Sequence, residues 1–261
     1  YEISPINYQG PLLIRSGLHG DHINAGVERY QQLKQKHLEP VLQNGKKGKI
    51  SLVVKTINSG ITIAQNACHD VLIDNKKTEL ECNIKSGKGW VAAEFNIHVE
   101  KGQKVILEKL VSIHTSQDKK KQNPLDRAEK DIESTDSWNE IFERSVNKWE
   151  KLWENMDIKI DHDRNSQKLI RLHLYHMLVT ASEHFADQDA GIPPRGLHGE
   201  AYRGHIFWDE LYILPLYNIH MPEVTKASLM YRYRRLNKAR EYAKEYGYKG
   251  AMFPWQSGSD G

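Results

Sequence analysis

Residues 50–67 read ISLVVKTINSGITIAQNA, and this stretch decides the first half of the fold. Ile50-Ser51-Leu52-Val53-Val54-Lys55-Thr56-Ile57 is rich in β-branched side chains, which suit a pleated, half-buried surface. The run stops at Asn58-Ser59-Gly60, a turn signal, and Ile61-Thr62-Ile63-Ala64-Gln65-Asn66-Ala67 follows at once, so the spacing predicts a hairpin. Downstream, Val71-Leu72-Ile73 leads into a second turn at Asp74-Asn75-Lys76. Trp90–Val99 and Val105–His114 continue the series. Short strands with polar turns at roughly 8–15-residue intervals predict an antiparallel sandwich over residues 1–115. Ser86-Gly87-Lys88-Gly89 reads as a turn rather than a phosphate loop, because the P-loop spacing is absent and no helix follows.

Further along, the pattern changes. Residues 116–134 are polar, contain Pro124 and read as a connector. From Thr135 the apolar period becomes helical: Trp138, Ile141, Phe142, Ser145, Trp149, Leu152 and Trp153 share one face, with Thr135 or Asp136 placed to cap it. Packing against a neighbouring domain is the expected role of that stripe. A second helix is predicted from about Ser166 to Phe185, and a third from Trp208 to near His220, where Pro222 restricts its predecessor. A fourth is predicted from Pro222 to Tyr246, ending at Gly247. The chain therefore switches once, from all-β to all-α, without an internal repeat.

The bulk composition excludes several classes. With 37 Lys+Arg against 34 Asp+Glu in 261 residues, the net charge is only +3, which disfavours a dedicated nucleic-acid binder. Lys46-Lys47-Gly48-Lys49 and Lys119-Lys120-Lys121 read as solvated turns. The two cysteines, Cys68 and Cys82, imply no disulfide framework and are expected to be buried thiols. No apolar run approaches the roughly 20 residues of a membrane span. The chain starts at Tyr1 without a signal peptide and is read as an internal piece of a longer polypeptide, so targeting is left open.

Chemistry concentrates between Arg195 and Gly261. His205-Ile206-Phe207-Trp208-Asp209 and Phe253-Pro254-Trp255-Gln256-Ser257 bracket the helical segment. An indole beside a carboxylate or carboxamide is a sugar-binding arrangement: the flat ring covers the C–H face of a pyranose while the polar head meets its hydroxyls. Two such pairs at opposite ends of one helical excursion predict a single pocket. Glu200, Asp209, Glu210 and Asp260 are the nearby carboxylates, and most glycoside-cleaving enzymes use a flanking pair of them. Taken alone, the residues nominate Asp209 as catalytic, with capping of the helix after Trp208 as the structural alternative. Arg195, Arg203 and Lys249 could bind an anion or fix a carboxylate, or could serve as salt-bridge partners. His173, His176, His198 and His205 lack HExxH or Cys/His spacing, so no metal site is expected. The absence of G-x-S-x-G and G-x-G-x-x-G disfavours acyl-transfer and dinucleotide redox chemistry.

The segment Gly199-Glu200-Ala201-Tyr202-Arg203-Gly204-His205-Ile206-Phe207-Trp208-Asp209 resembles glycoside hydrolase family 65. So do Tyr231-Arg232-Tyr233-Arg234-Arg235-Leu236 with Ala239-Arg240, and Gly247-Tyr248-Lys249-Gly250-Ala251-Met252-Phe253-Pro254-Trp255. Tyr1-Glu2-Ile3-Ser4-Pro5 and Ser16-Gly17-Leu18 resemble the second half of its N-terminal sandwich. The resemblance implies a multidomain β-then-α chain. Residues 1–117 would close an antiparallel β-sandwich (a super-sandwich), 118–165 would form a helical linker, and 166–261 would begin an (α/α)6 catalytic barrel. It further implies that Trp208, Asp209, Trp255 and Gln256 line the pocket for a glucosyl unit, with Arg203 close by, and it reassigns Asp209 from acid to hydroxyl ligand. The general acid, a glutamate in a GPDEYH-like motif, and the phosphate-binding residues would lie downstream of Gly261. Where the family's phosphorylases commonly carry glutamate, this chain has Gln256, an uncharged group that both donates and accepts.

The implied activity is inverting cleavage of an α-glucosidic bond in a kojibiose- or maltose-like sugar, by phosphate or by water. No cofactor is expected, and inorganic phosphate is the co-substrate if phosphate attacks. The expected partner is a small oligosaccharide, not nucleic acid or membrane, and a homodimer is compatible with the resemblance. Location would be cytoplasmic for a phosphorylase and periplasmic or secreted for a hydrolase. A non-catalytic carbohydrate-binding protein is the competing class, followed by an interaction module using the Trp138–Trp153 stripe.

Overall fold

The computed structural model describes residues 1–23, 28, 32–33, 36–118, 122–181, 188–195, 202–258 and 261, the Arg203 side chain excepted. The chain forms two compact units, Tyr1–Asn24 with Gln31–Glu143, and Ala25–Tyr30 with Arg144–Gly261.

The first unit holds β1 (Glu2–Ile3), β2 (Gly10–His19), β3 (Leu38–Lys46), β4 (Lys49–Thr56), β5 (Thr62–Ile73), β6 (Lys76–Lys77), β7 (Cys82–Gly87), β8 (Trp90–Val99) and β9 (Val105–Thr115). Pairing is antiparallel throughout. One sheet runs β1-β9-β5-β4-β3, with β6 beside β5, and the other runs β2-β8-β7. Inward side chains of both sheets meet in one core, including Ile14, Leu18, Ile50, Leu52, Val91 and Phe95. Each such burial contributes about 1.5–3 kcal/mol before entropy is charged against it.

Local chemistry explains the turns. Lys47 (φ 50°) and Gly48 (φ 76°) both occupy the left-handed region between the paired residues Lys46 and Lys49, so this basic cluster is a two-residue hairpin turn. Asp74 (φ 48°) and Asn75 (φ 62°) do the same between Ile73 and Lys76. The two runs expected on either side of Asp70 are instead a single strand, β5, which pairs with β9 from Ile63 to Ile73. The polar interruption is tolerated because His69 is satisfied, with Nδ1 on the Gly48 carbonyl (2.7 Å) and Nε2 on Ser16 Oγ (2.8 Å). Cys68 and Cys82 are free, half-buried thiols.

The connector contains a helix that the sequence reading did not predict, α1 (Pro124–Glu133). Asn123 caps it by accepting from the Leu125 N–H, and Pro124 supplies the fixed φ of the first turn. Ala128 and Ile132 are buried, and the helix lies along β5 and β9. His114 at the end of β9 fastens it, with Nδ1 2.7 Å from Asp118 and Nε2 2.6 Å from Asp131.

Next comes α2 (Trp138–Met156). Its cap is Ser137 rather than Thr135 or Asp136. The Ser137 N–H and hydroxyl donate to Glu140 (2.9 and 2.6 Å), while the Thr135 hydroxyl donates to the Asp131 carbonyl (2.6 Å). The aromatic stripe divides: Trp149, Leu152 and Trp153 pack with Met156, Leu174 and Leu178 in the second unit, while Trp138 and Phe142 are exposed and stack on each other (5.0 Å).

The second unit continues with α3 (Arg164–Thr180), α4 (Glu210–His220), α5 (Pro222–Arg234) and α6 (Leu236–Glu245). The helix expected over Pro222–Tyr246 is thus two helices, broken at Arg235. There the Arg235 guanidinium bonds the Tyr231 carbonyl (3.0 Å), grips Asp189 (3.0 Å) and lies 3.8 Å over the Tyr231 ring. Those tertiary partners outweigh the local helical preference. After α6, Gly247 (φ 77°) and Tyr248 donate to Lys244 and Ala243, a complete Schellman stop. Residues 182–185 of the expected second helix lie outside the described residues. Among the described residues no helix is long and apolar enough to cross a membrane.

Candidate functional site

Two short strands build the site. β10 (Ile206–Phe207) and β11 (Gln256–Ser257) pair antiparallel, Ile206 with Ser257 and Phe207 with Gln256. The Trp208 N–H extends the ribbon by donating to the Trp255 carbonyl (3.0 Å). Ile206 and Phe207 are buried and root the ribbon. Gly191 permits this seating, because a Cβ there would collide with the Ile206 side chain.

The ribbon forces the two indoles together. Their centroids lie 6.1 Å apart with 27° between planes, and they remain 40% (Trp208) and 63% (Trp255) exposed. Tyr212 meets Trp208 edge-on (5.4 Å), Phe207 meets Trp255 (5.8 Å), and Tyr202 supports Phe207 (5.1 Å). The result is an open aromatic platform. A pyranose sandwiched between parallel rings would need roughly 7–8 Å, two carbon contact distances. This pair is too close for that and instead presents its outer faces.

Polar groups rim the platform. Asp209 stands exposed at the N-terminal end of α4, and its carboxylate makes no capping hydrogen bond. The carboxylate is therefore not spent on the helix, contrary to the capping alternative. Gln256 Nε2 lies 2.6 Å from His205 Nδ1. With the amide donating, the His205 proton sits on Nε2 and remains available to a ligand. His205 is expected from sequence only as part of the aromatic-polar cluster and as a weak metal candidate; its pairing with a residue 51 positions away has no local signal. Among the described residues no group of three or more His, Cys, Asp or Glu is arranged to hold a metal. Arg203 lies in the 3₁₀ turn Tyr202–Gly204, but its side chain is outside the description, as are Glu200, His198 and Asp260.

A buried ionic bridge ties the two sides of the ribbon together. Arg232 Nε donates to Glu210 Oε1 (2.9 Å), and its Nη1 donates to Ser257 Oγ (2.6 Å). Ser228 Oγ reaches Glu210 Oε2 (3.4 Å), and the Tyr231 hydroxyl donates to the Gly258 carbonyl. Burial pushes the Tyr231 phenol above its ordinary value. At Asp189, burial opposes ionisation, but hydrogen bonds from Arg235 and Arg234 outweigh it and hold the carboxyl below the usual range. Cavities of about 400 and 650 Å³ occur in the β unit, one beside α1 and one beside β5 and β7. Neither touches the aromatic pair.

Comparison with known proteins gives this geometry a context. Residues 1–152 match the N-terminal domain of glycosyl hydrolase family 65, and residues 171–261 match the family's central catalytic domain. The chain is 37% identical over 256 residues to a trehalose 6-phosphate phosphorylase of Lactococcus lactis, covering 95% of this chain and 31% of that protein. It is 31% identical over 276 residues to a kojibiose phosphorylase of Halothermothrix orenii, covering 100% of this chain and 34% of that protein. A solved structure of a candidate kojibiose phosphorylase from the human microbiome superimposes with a TM-score of 0.77 at 24% identity, over 96% of this chain and 32% of that one. The chain thus spans about a third of the length of these relatives. The β-rich unit followed by helices corresponds to the family's N-terminal sandwich and the start of its helical domain. Chain-long sequence kinship and fold agree, and the chain belongs to glycosyl hydrolase family 65.

Proposed function

We propose that the protein of which this chain is part cleaves an α-glucosidic bond in a small oligosaccharide by phosphorolysis with inversion, and that this chain supplies the glucosyl-binding surface. The observation that carries the reading is the indole pair, Trp208 and Trp255, brought within 6.1 Å from opposite ends of the helical segment. A glucosyl ring lays its C–H face on the exposed indoles, while Asp209 and Gln256, with Arg203 nearby, meet its hydroxyls. Phosphorolysis is favoured over hydrolysis because relatives of 37% and 31% identity are phosphorylases.

In this reading residues 1–117 close the N-terminal sandwich domain, 118–165 link, and 166–261 open an (α/α)6 barrel. The general acid lies beyond Gly261 and protonates the departing glycosidic oxygen. A phosphate oxygen bonds the anomeric carbon from the opposite face, giving β-glucose 1-phosphate and the freed acceptor sugar. Phosphate brings its own charge, so no catalytic base, metal or other cofactor is required. The partner is an oligosaccharide rather than nucleic acid or membrane.

Full-length protein incubated with kojibiose, maltose, trehalose, trehalose 6-phosphate and nigerose, with and without phosphate, tests this. The expected outcome is phosphate-dependent β-glucose 1-phosphate from one of them. Free glucose formed without phosphate would replace phosphorolysis by hydrolysis, and sugar binding without any turnover would reduce the protein to a carbohydrate binder.

A further inference from the structure

The buried bridge joins the two sides of the ribbon. Glu210 lies two residues after Trp208, and Ser257 lies two residues after Trp255. One guanidinium, from Arg232 in the last turn of α5, holds both, at 2.9 Å and 2.6 Å. The side chains of Glu210 and Arg232 are only 8% and 13% exposed.

A buried ion pair is a poor source of stability, because desolvation consumes most of the Coulombic gain and an apolar pair of equal volume often does as well. What it supplies is a fixed geometry. Arg232 offers a rigid fork whose arms point in set directions, which a lysine cannot reproduce. The Phe253 and Tyr231 rings flank that fork at 5.8 and 5.6 Å, limiting its swing. The Tyr231 hydroxyl on the Gly258 carbonyl adds a second tie to the same segment.

We infer that Glu210, Arg232 and Ser257 are positioning residues that set the spacing and tilt of the two indoles, and through them the affinity for the glucosyl unit. None of the three touches the sugar. The inference rests on the platform reading given above, and Trp208→Ala serves as the control for that reading.

The test uses Ser257→Ala and Arg232→Lys in the full-length protein. Ser257→Ala removes one hydroxyl and leaves the Glu210–Arg232 pair in place, so folding is retained. Arg232→Lys keeps the buried cation but loses the fork. Two indoles this close couple their transitions, and the resulting circular-dichroism couplet reports their mutual angle. Both variants are expected to raise KM for the glucosyl substrate about tenfold with kcat within about twofold, and to weaken the couplet. Unchanged KM and couplet in both variants, with Trp208→Ala severely impaired, would overturn the bridge and leave the platform standing. A lost couplet with unchanged KM, or normal kinetics in Trp208→Ala, would instead overturn the platform on which the inference rests.

Discussion

The β unit and the aromatic ribbon use the same antiparallel pairing at very different scales. In the sandwich, β2 and β8 pair over ten positions and β5 and β9 over eleven, and the register is backed by a core drawn from both sheets. In the ribbon, two residues pair with two, and the rest of the alignment comes from one further backbone bond, a buried ion pair and stacked rings. A long ladder over an apolar core makes a shape insensitive to any single contact. A short ribbon makes a shape whose details depend on each tie, and those ties sit where ligand chemistry is expected.

The largest effect is expected in the sandwich. Leu52 is fully buried between the sheets, so Leu52→Ala should cost about 2–5 kcal/mol of stability, measured by urea unfolding, with KM unaltered in the fraction that folds. Trp208→Ala should do the reverse. Loss of half the platform should lower kcat/KM by about a hundredfold, roughly 3 kcal/mol, while the unfolding midpoint moves little because the ring is 40% exposed. A stability loss without a kinetic one at Trp208 would erase the distinction.

Acid sharpens the contrast next. At Asp118 burial opposes ionisation, but hydrogen bonds from His114 and Thr115 outweigh it and hold the carboxyl below its ordinary value, and Asp131 is lowered chiefly by His114. Both folded-state values lie below the unfolded one, near 3.9. Their contribution is therefore complete above about pH 4 and is lost as pH falls through the depressed values. Urea midpoints at pH 5 and pH 3 should fall further in the native sequence than in Asp118→Asn, whose acid dependence should be flatter. Equal slopes would mean that the His114–Asp118 pair contributes nothing. The smallest effect is expected at the α2 cap, where Ser137→Ala should cost about 1 kcal/mol and leave KM untouched.

How much of this could be read in advance follows the same division. The hairpin at Asn58-Ser59-Gly60 was legible because turn chemistry and β-branched runs are local. The continuity of β5 was not, since His69 and Asp70 look like an interruption until the Gly48 and Ser16 partners of His69 are known. The α1 helix hid in a polar stretch, although Asn123-Pro124 followed by Ala128 and Ile132 carries a cap and an inward face. The break at Arg235 depends on Asp189 and Tyr231, one of them 46 residues away, and leaves no local mark. At the site, residue types were legible but spacing was not: the sequence nominated both indoles, yet their stacking, the His205–Gln256 contact and the Glu210–Arg232–Ser257 bridge all join segments 22–51 residues apart. Long-range polar geometry has no periodicity from which to infer it.

A crystal structure of the full-length protein with a bound glucoside tests the role of the indole pair without intermediary. The glucosyl C–H face is expected against Trp208 and Trp255, with Asp209 and Gln256 on its hydroxyls. A sugar held elsewhere, with those two indoles covered by protein, would contradict it.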